Sequence, residues 1–214
     1  MMSNHLKIIG LAALIVLLSG FRFQSIEKSE SSPAINMSDD RASWSVDYNH
    51  SEVGFSARHM GMFKVRGDFK TFSATIEFDE SDLNTLEVSA TIEVESLETG
   101  VERRDNHLRS SDFFDAVTYP QITFTSKEIR NVDGDEFELV GDLTIKDVTK
   151  EFVLEGTFLG AIETQGGKRA GFELSAVLDR FDYHLNFDRL TEVGGLIAGR
   201  DITITLSLEL TKQE

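Results

Sequence analysis

From residue 44 onward, apolar and polar residues alternate with a period of two, the spacing of an antiparallel β-sheet that has one face in water. Parallel sheets would instead show continuous apolar runs separated by helices, and the sequence has none. The pattern therefore predicts an all-β domain of antiparallel strands. The clearest apolar faces consist of Val88, Ala90, Ile92 and Val94, of Phe137, Leu139, Leu143 and Ile145, and of Ile202, Ile204, Leu206, Leu208 and Leu210.

Turn signals divide this pattern into roughly eight strands, enough to close a barrel around one small ligand. Residues 131–135 and residues 165–167 are rich in Gly, Asn and Asp and predict hairpin turns. Between Phe69 and Phe72 the apolar residues change parity, which predicts a bulge or a sharp bend. One domain of residues 43–214 is the simplest organisation.

The charge of the chain limits what it can bind. The formal net charge is −16, and because residues 1–26 contain Lys7 and Arg22 but no acid, the remaining 188 residues carry −18. Nucleic acids are bound largely by lysines and arginines that neutralise phosphates, so this balance argues against a nucleic-acid partner. It also argues against a polybasic protein of the membrane surface.

The residue composition excludes several chemistries. The chain has no cysteine, which excludes disulfides, thiol nucleophiles and cysteine–zinc sites. Its histidines are scattered and form no HExxH or His-x-His motif, so we predict no metal site. Sixteen Phe against three Tyr and one Trp predict a bulky apolar interior.

The amino terminus has the features of a targeting segment. Lys7 precedes an apolar run of residues 8–18, which is shorter than the about 20 residues of a membrane span and is typical of a signal peptide. We predict that residues 1–21 direct export to the periplasm or secretion, with an uncleaved anchor that tethers the protein to a membrane as the alternative. Residues 22–42 show no period and predict a disordered linker.

The segment RRDNHLRSSDFFD of residues 103–115 interrupts the strand pattern and predicts a short helix, within residues 101–115, at the mouth of the barrel. Arg104, Asp105 and His107 lie in this segment, and Arg58 and His59 lie in a strand. Arginine presents a planar fork that suits phosphate or carbonyl oxygens, and histidine can donate or accept a hydrogen bond. These five residues are candidates for binding a ligand head group. An ion pair between Arg104 and Asp105 that anchors the helix is the alternative.

Phenylalanines supply the candidate lining of the barrel. Phe113 and Phe114 adjoin the polar cluster, and because neighbouring residues on a helix face different directions, we expect at most one of them to contact a ligand. Ordinary barrel core is the alternative for all of these side chains. The further candidates are Phe55, Phe69, Phe72 and Phe124.

Several strings of this sequence, in the order in which they occur, are similar to those of a known family. They are WSVDYNHS (44–51), FSARHMG (55–61), RDNHLRSSDFFD (104–115) and GDLTIKDVTK (141–150). In these strings the chain resembles the YceI-like polyisoprenoid-binding proteins. The resemblance implies an extended lipocalin-like antiparallel β-barrel that is exported to the periplasm and encloses a long isoprenoid chain, with no cofactor besides that lipid. At residues 182–184 the sequence departs from the family, which has a short Phe–Gly turn there.

These observations predict a carrier that sequesters a polyisoprenoid, such as an isoprenoid quinone or a prenyl phosphate, without catalysis. Two alternatives stay open. One is an enzyme that acts on such a lipid with Arg104, Asp105 and His107 as acid–base groups. The other is a partner-binding module whose barrel is filled by its own side chains. The strand pattern does not fix the oligomeric state, and a weak homodimer stays open as well.

Overall fold

Eleven strands and one α-helix form the part of the chain that the computed structural model describes, residues 41–190 and 197–214. The predicted signal segment and nearly all of the predicted linker lie outside these residues. The strands are β1 (Ala42–Val46), β2 (Glu52–His59), β3 (Phe63–Phe69), β4 (Phe72–Asp79), β5 (Asp82–Glu93), β6 (Leu97–Glu98), β7 (Gln121–Asp133), β8 (Glu136–Ile145), β9 (Val148–Thr164), β10 (Gly167–Asp179) and β11 (Ala198–Lys212). The helix is α1 (Glu102–Arg109), and 3₁₀ turns span Val94–Ser96 and Arg180–Tyr183.

Eight of the strands close a barrel. They are hydrogen-bonded in the order β1, β4, β5, β7, β8, β9, β10, β11, and β11 pairs again with β1. The closing pair is antiparallel and matches Trp44 with Lys212 and Val46 with Leu210. The predicted all-β antiparallel barrel of about eight strands is therefore confirmed.

The remaining strands extend the wall beyond β1. The long strand β11 pairs with β1 near its C-terminal end and with β2 along the rest of its length. Strand β2 pairs with β3, which in turn pairs with β6 over only two residues. The predicted bend is confirmed, because β3 ends at Phe69, β4 begins at Phe72, and the two strands pair with different neighbours.

Aromatic rings pack together inside the barrel where β1 meets β4. Trp44 stacks on Phe78 with ring centroids 4.8 Å apart, and Phe78 is fully buried. The Phe78 ring also contacts the edges of Phe158 and Phe172, at 6.0 and 5.3 Å between centroids. Because Phe offers a large apolar surface without a polar group to satisfy, this cluster forms a dry plug at one end of the barrel.

Helix α1 covers a gap in the wall. The sheet ends at β6, the short strand that pairs with β3, and no further strand of the described residues continues it. Helix α1 and the turns after it lie at this edge of the sheet. The predicted short helix is confirmed, and it ends at Arg109, since Ser110 is already extended and its hydroxyl donates to the carbonyl of His107 at 2.7 Å. No helix among the described residues has the length and apolarity that crossing a membrane requires.

Candidate apolar cavity with a basic mouth

An apolar cavity of about 150 Å³ lies inside the barrel. Apart from Gly54, its walls consist of large and small apolar side chains from both halves of the sheet. Phe72 and Phe124, both predicted as lining residues, are among them. The inward faces that the two-residue pattern predicted on β5, β8 and β11 supply most of the other walls. This deep cavity can hold hydrocarbon and offers no polar side chain to anything else.

A second cavity of about 270 Å³ adjoins the first and forms the mouth of the barrel. The two share five apolar lining residues, which form the boundary between them: Phe69, Ile122, Ile145, Leu178 and Ile204. Among the residues that the structure describes, the ionisable side chains that line the mouth are all basic: Arg58, His59, Arg104, His107 and Arg180. A chain of strongly negative net charge therefore presents a positive environment at the opening of its apolar interior.

Most of the predicted site residues meet at this mouth. Besides four of the basic residues, the mouth is lined by Phe55, Phe69, Phe113 and Phe114. Both Phe113 and Phe114 line this cavity, and the expectation that at most one of them contacts a ligand stays a prediction. It assumed a continuous helix, whereas α1 ends at Arg109 and both rings lie in the turns that follow.

Asp105 is the one predicted site residue that lines neither cavity. It is buried below α1, where its carboxylate accepts hydrogen bonds from the backbone N–H of Thr99, at 3.0 Å, and from the Thr99 hydroxyl. Arg104 donates from Nε to the same hydroxyl at 2.7 Å and from Nη2 to the Thr99 carbonyl at 2.9 Å. Both residues therefore anchor α1 through Thr99 rather than through an ion pair with each other.

The remaining donors of the mouth differ in availability. Nη1 of Arg104 has no hydrogen-bond partner among the described residues, although its neighbouring nitrogens are engaged. Arg58 is exposed, and its one hydrogen bond to a described residue goes to the carbonyl of Met62, at 3.3 Å. His107 pairs through Nε2 with Asp112 at 2.9 Å, and its ring packs edge-on against Phe113 and Phe187. Arg58 and Arg104 are therefore the arginines best placed to donate to an incoming group.

Arg180 was not among the predicted site residues. Its side chain is 2% exposed and donates to four backbone carbonyls: those of Gly199 (2.8 Å), Phe187 (2.7 Å), Ala198 (3.0 Å) and Leu185. Burial lowers the pKa of the guanidinium from its ordinary value, while the charges of Asp179 and Asp188 oppose that shift. Arg180 thus fixes the loop after β10 against the mouth. Its position in the sequence, directly after a long strand, gave no sign of this contact.

Asp47, His50 and Ser51 form a hydrogen-bonded corner outside the cavities. Asp47 Oδ2 lies 3.0 Å from His50 Nδ1 and 2.9 Å from Arg169 Nη1, and Arg169 also pairs with Glu209. Hydrogen bonds from His50 and Arg169 lower the pKa of Asp47 from its ordinary value of 3.8 to about 2. Although atoms of Asp47, His50 and Glu209 lie within 4.8 Å of one another, Arg169 already neutralises both carboxylates.

The fold and these cavities define a lipocalin-like β-barrel with an apolar interior that opens through a basic mouth. Comparison with known proteins identifies the family: the chain belongs to the YceI-like proteins, whose domain, described as the YceI-like domain, matches residues 44–210. The predicted resemblance to this family is confirmed.

Relatives of known sequence match most of the chain. Protein YceI of Escherichia coli O157:H7 is 37% identical over 166 residues, covering 77% of this chain and 83% of its own. UPF0312 protein SAS2572 of Staphylococcus aureus is 35% identical over 173 residues, covering 80% and 98%.

Solved structures share the fold. A YCEI protein of Campylobacter jejuni is 32% identical, with a TM-score of 0.64 over 79% of this chain and 96% of that one. BcnA of Burkholderia cenocepacia is 27% identical, with a TM-score of 0.67 over 77% and 98%. A polyisoprenoid binding domain from Saccharophagus degradans is 13% identical and shares the fold alone, with a TM-score of 0.58 over 80% and 99%.

Proposed function

We propose that this protein binds a polyisoprenoid lipid inside its barrel and carries it as a non-covalent complex. The observation that supports this most directly is the pairing of a wholly apolar deep cavity with a mouth whose ionisable lining residues, within the described part of the chain, are all basic. Family membership and the shared fold of the Saccharophagus degradans polyisoprenoid binding domain support the same proposal.

The two cavities can enclose part of the tail, since the deep cavity of about 150 Å³ alone has room for a group of about the size of benzene and the mouth adds about 270 Å³. Removing a hydrocarbon chain from water contributes about 0.8 kcal/mol for each methylene group buried. A tail of some tens of carbons would then exceed the ceiling of about 18–21 kcal/mol that non-covalent complexes reach. Ordering of the chain and incomplete burial must offset much of this gain. Tail contacts therefore set the affinity and the range of lengths, and only the mouth can distinguish head groups.

The mouth accounts for the head group. Arg58, His59 and the free Nη1 of Arg104 offer hydrogen-bond donors beside apolar walls. Hydrogen bonds from a charged donor are about twice as strong as neutral ones, so oxygen-rich head groups gain most from this arrangement. We infer that the ligand is an isoprenoid quinone or a prenyl phosphate, and that the phosphate form binds more tightly than the corresponding alcohol.

Location and the absence of catalysis belong to the same proposal. We infer export to the periplasm or secretion from Lys7 and the apolar run of residues 8–18, followed by a linker and a single barrel domain. Cell fractionation of a tagged chain tests the location, and recovery in the cytosol would contradict it.

The acid–base set of the enzyme alternative is not assembled, since Asp105 faces Thr99 whereas His107 lines the mouth.

The first test is native mass spectrometry of the purified protein, followed by organic extraction of anything released. We expect a mass above that of the bare chain and a prenyl lipid in the extract. A bare mass that stays unchanged after incubation with quinones and prenyl phosphates would favour the filled barrel. A prenyl lipid that is chemically changed by the protein, but not by a His107→Ala variant that still binds it, would favour the enzyme.

The second test addresses the head group. A prenyl phosphate and the alcohol of the same length are titrated against the wild type, Arg58→Met and Arg103→Met. Arg58 lines the mouth, whereas Arg103 is an exposed arginine of α1 that lines neither cavity and serves as the control. We expect the preference for the prenyl phosphate over the alcohol to fall about tenfold in Arg58→Met, because the variant loses one charge-assisted hydrogen bond to the phosphate. An unchanged preference would remove Arg58 from the proposed site.

A further inference from the structure

The β2–β3 hairpin carries a tip that differs from the rest of the surface. Its loop and first paired residue hold three large apolar side chains in water: Met60 is 46% exposed, Met62 70% and Phe63 61%. The tip adjoins the mouth, because Arg58 and His59 line the mouth cavity and the Met60 N–H donates to the Ile197 carbonyl at 2.9 Å. Neighbouring apolar side chains that remain exposed together mark surfaces that bind something.

The charge of this hairpin opposes that of the whole chain. The hairpin, residues 52–69, carries Arg58, Lys64 and Arg66 towards its tip and Glu52 and Asp68 at its far end, a net charge of +1 in a chain that carries −16. Arg58 is paired in register with Lys64, and Arg66 follows two residues later, so the three cations share one face of the hairpin. All three are exposed, and none forms an ion pair with any residue that the structure describes. The net charge disfavours membrane binding by the protein as a whole, but this face is a local exception.

The tight turn at the tip of the hairpin holds Met60 in a backbone conformation that Met rarely adopts. The N–H of Met62 donates to the His59 carbonyl at 3.2 Å, and both central residues have positive φ, 52° at Met60 and 70° at Gly61. Asn, Asp and Gly favour two successive positive φ angles, whereas an unbranched apolar residue such as Met rarely adopts one. An exposed apolar side chain therefore occupies a position where a polar residue would form the turn more easily.

We propose that the tip of this hairpin docks on the surface of a lipid bilayer that contains anionic lipids, with Met60, Met62 and Phe63 entering the boundary between head groups and acyl chains. The three cations would then face the anionic head groups, each contributing about fivefold to the affinity. Each apolar side chain that leaves water would contribute about tenfold. Docking in this orientation brings the mouth to the lipid surface. The inference goes beyond lipid binding in the barrel and can be tested without any prenyl lipid.

The chain has no cysteine, so one substitution creates a unique site for an environment-sensitive fluorophore. Met62→Cys places the fluorophore on the tip. Ile162→Cys is the matched control, because Ile162 is 66% exposed and lies in β9 near the β9–β10 turn, away from the mouth. Both labelled proteins are titrated with vesicles of phosphatidylcholine and with vesicles in which part of it is replaced by phosphatidylglycerol.

With the phosphatidylglycerol vesicles, we expect a blue shift of the label at residue 62 that weakens at high salt, and no shift at residue 162. In the Met62→Cys background, Met60→Asn should lower the vesicle affinity about tenfold without loss of stability, because Asn favours the turn. Lys64→Glu combined with Arg66→Glu should abolish the preference for phosphatidylglycerol.

Three outcomes would overturn docking on a bilayer. One is a label at residue 62 that stays in water with both vesicles. Another is a label at residue 162 that shifts equally. The third is a shift at residue 62 that depends on protein concentration without vesicles, which would assign the tip to contact with a second copy of the chain. Binding of a prenyl phosphate in solution is measured separately, so failure of docking and failure of the carrier function are distinguishable.

Discussion

The two ends of the barrel are closed by different physical means. At one end, β1 pairs with both β4 and β11, and the Trp44–Phe78 stack fills the interior with aromatic rings. At the other end the wall is completed by α1, by turns and by the buried cation Arg180. The first end combines strand hydrogen bonds with dry packing, whereas the second relies on a few polar contacts around an opening. The stability of the fold and the chemistry of the site are thus located at opposite ends.

Removing the ring of Phe78 should have the largest effect on stability. Phe78 is fully buried and contacts three other aromatic rings, so Phe78→Ala should lower the free energy of unfolding by about 3–5 kcal/mol. Phe114→Ala at the mouth is the matched change, and because Phe114 is only half-buried its cost should be clearly smaller. Urea unfolding of the two variants measures the difference. Equal costs would contradict the contrast between the ends.

Arg180 gives the mouth a stabilising contact of its own. In Arg180→Met the four carbonyls that accept from the guanidinium lose their donor, and we expect a loss of about 1–3 kcal/mol in the free energy of unfolding. Arg180→Lys should recover only part of it, because an ammonium group lacks the planar fork. If urea unfolding shows that Arg180→Lys is as stable as the wild type, the positive charge alone would be sufficient for this stabilisation. The geometry of the guanidinium fork would then be irrelevant.

The boundary between the two cavities should decide the tail length. Ile204 lines both cavities, and Ile204→Phe should fill space at this boundary. Each methylene group kept out of the deep cavity costs about 0.8 kcal/mol, roughly fourfold in affinity, so long prenyl chains should lose more than short ones. Titration with a series of chain lengths measures this. Thr205→Phe, on the outer face, is the control, and equal losses for all lengths would contradict a role of this boundary.

The Asp47 corner contributes a smaller effect that depends on pH. The folded state lowers the pKa of Asp47 from 3.8 to about 2, so the carboxylate stabilises the fold above pH 4. That contribution is lost as the pH falls from about 4 towards 2. Asp47→Asn lacks it, and thermal unfolding of the variant should therefore change less than that of the wild type across this range. Parallel curves for the two proteins would show that the corner adds nothing to stability.

The strands were predictable because their signal is local. Alternation on β5, β8 and β11 identified the inward faces, and the change of parity after Phe69 identified the bend. The sequence predicted how many strands could close a barrel but not which strands pair to close it. The closing pair joins Trp44 and Lys212, which come from opposite ends of the domain. No local pattern specifies such a register.

The mouth was predictable in part for the same reason. Arg58, His59, Arg104 and His107 lie in short segments that combine basic and apolar residues, and the structure brings them to one cavity. Arg180 and Phe187 were missed because their role depends on a loop that folds back over the mouth. That both Phe113 and Phe114 line the mouth was not predictable from the sequence, because α1 ends at Arg109 and both rings lie in the turns that follow.

The covering helix α1 has a consequence for access to the interior. It is held by side-chain contacts and by hydrogen bonds at Thr99, whereas the neighbouring wall is held by strand pairing. Moving α1 outward would therefore widen the opening without breaking any of the pairs that close the eight-stranded ring. Amide hydrogens of α1 should then exchange faster than those of β8, β9 and β10, whose exchange requires opening of the barrel itself. Ligand entry and global unfolding thus have separate energetic barriers in one small domain.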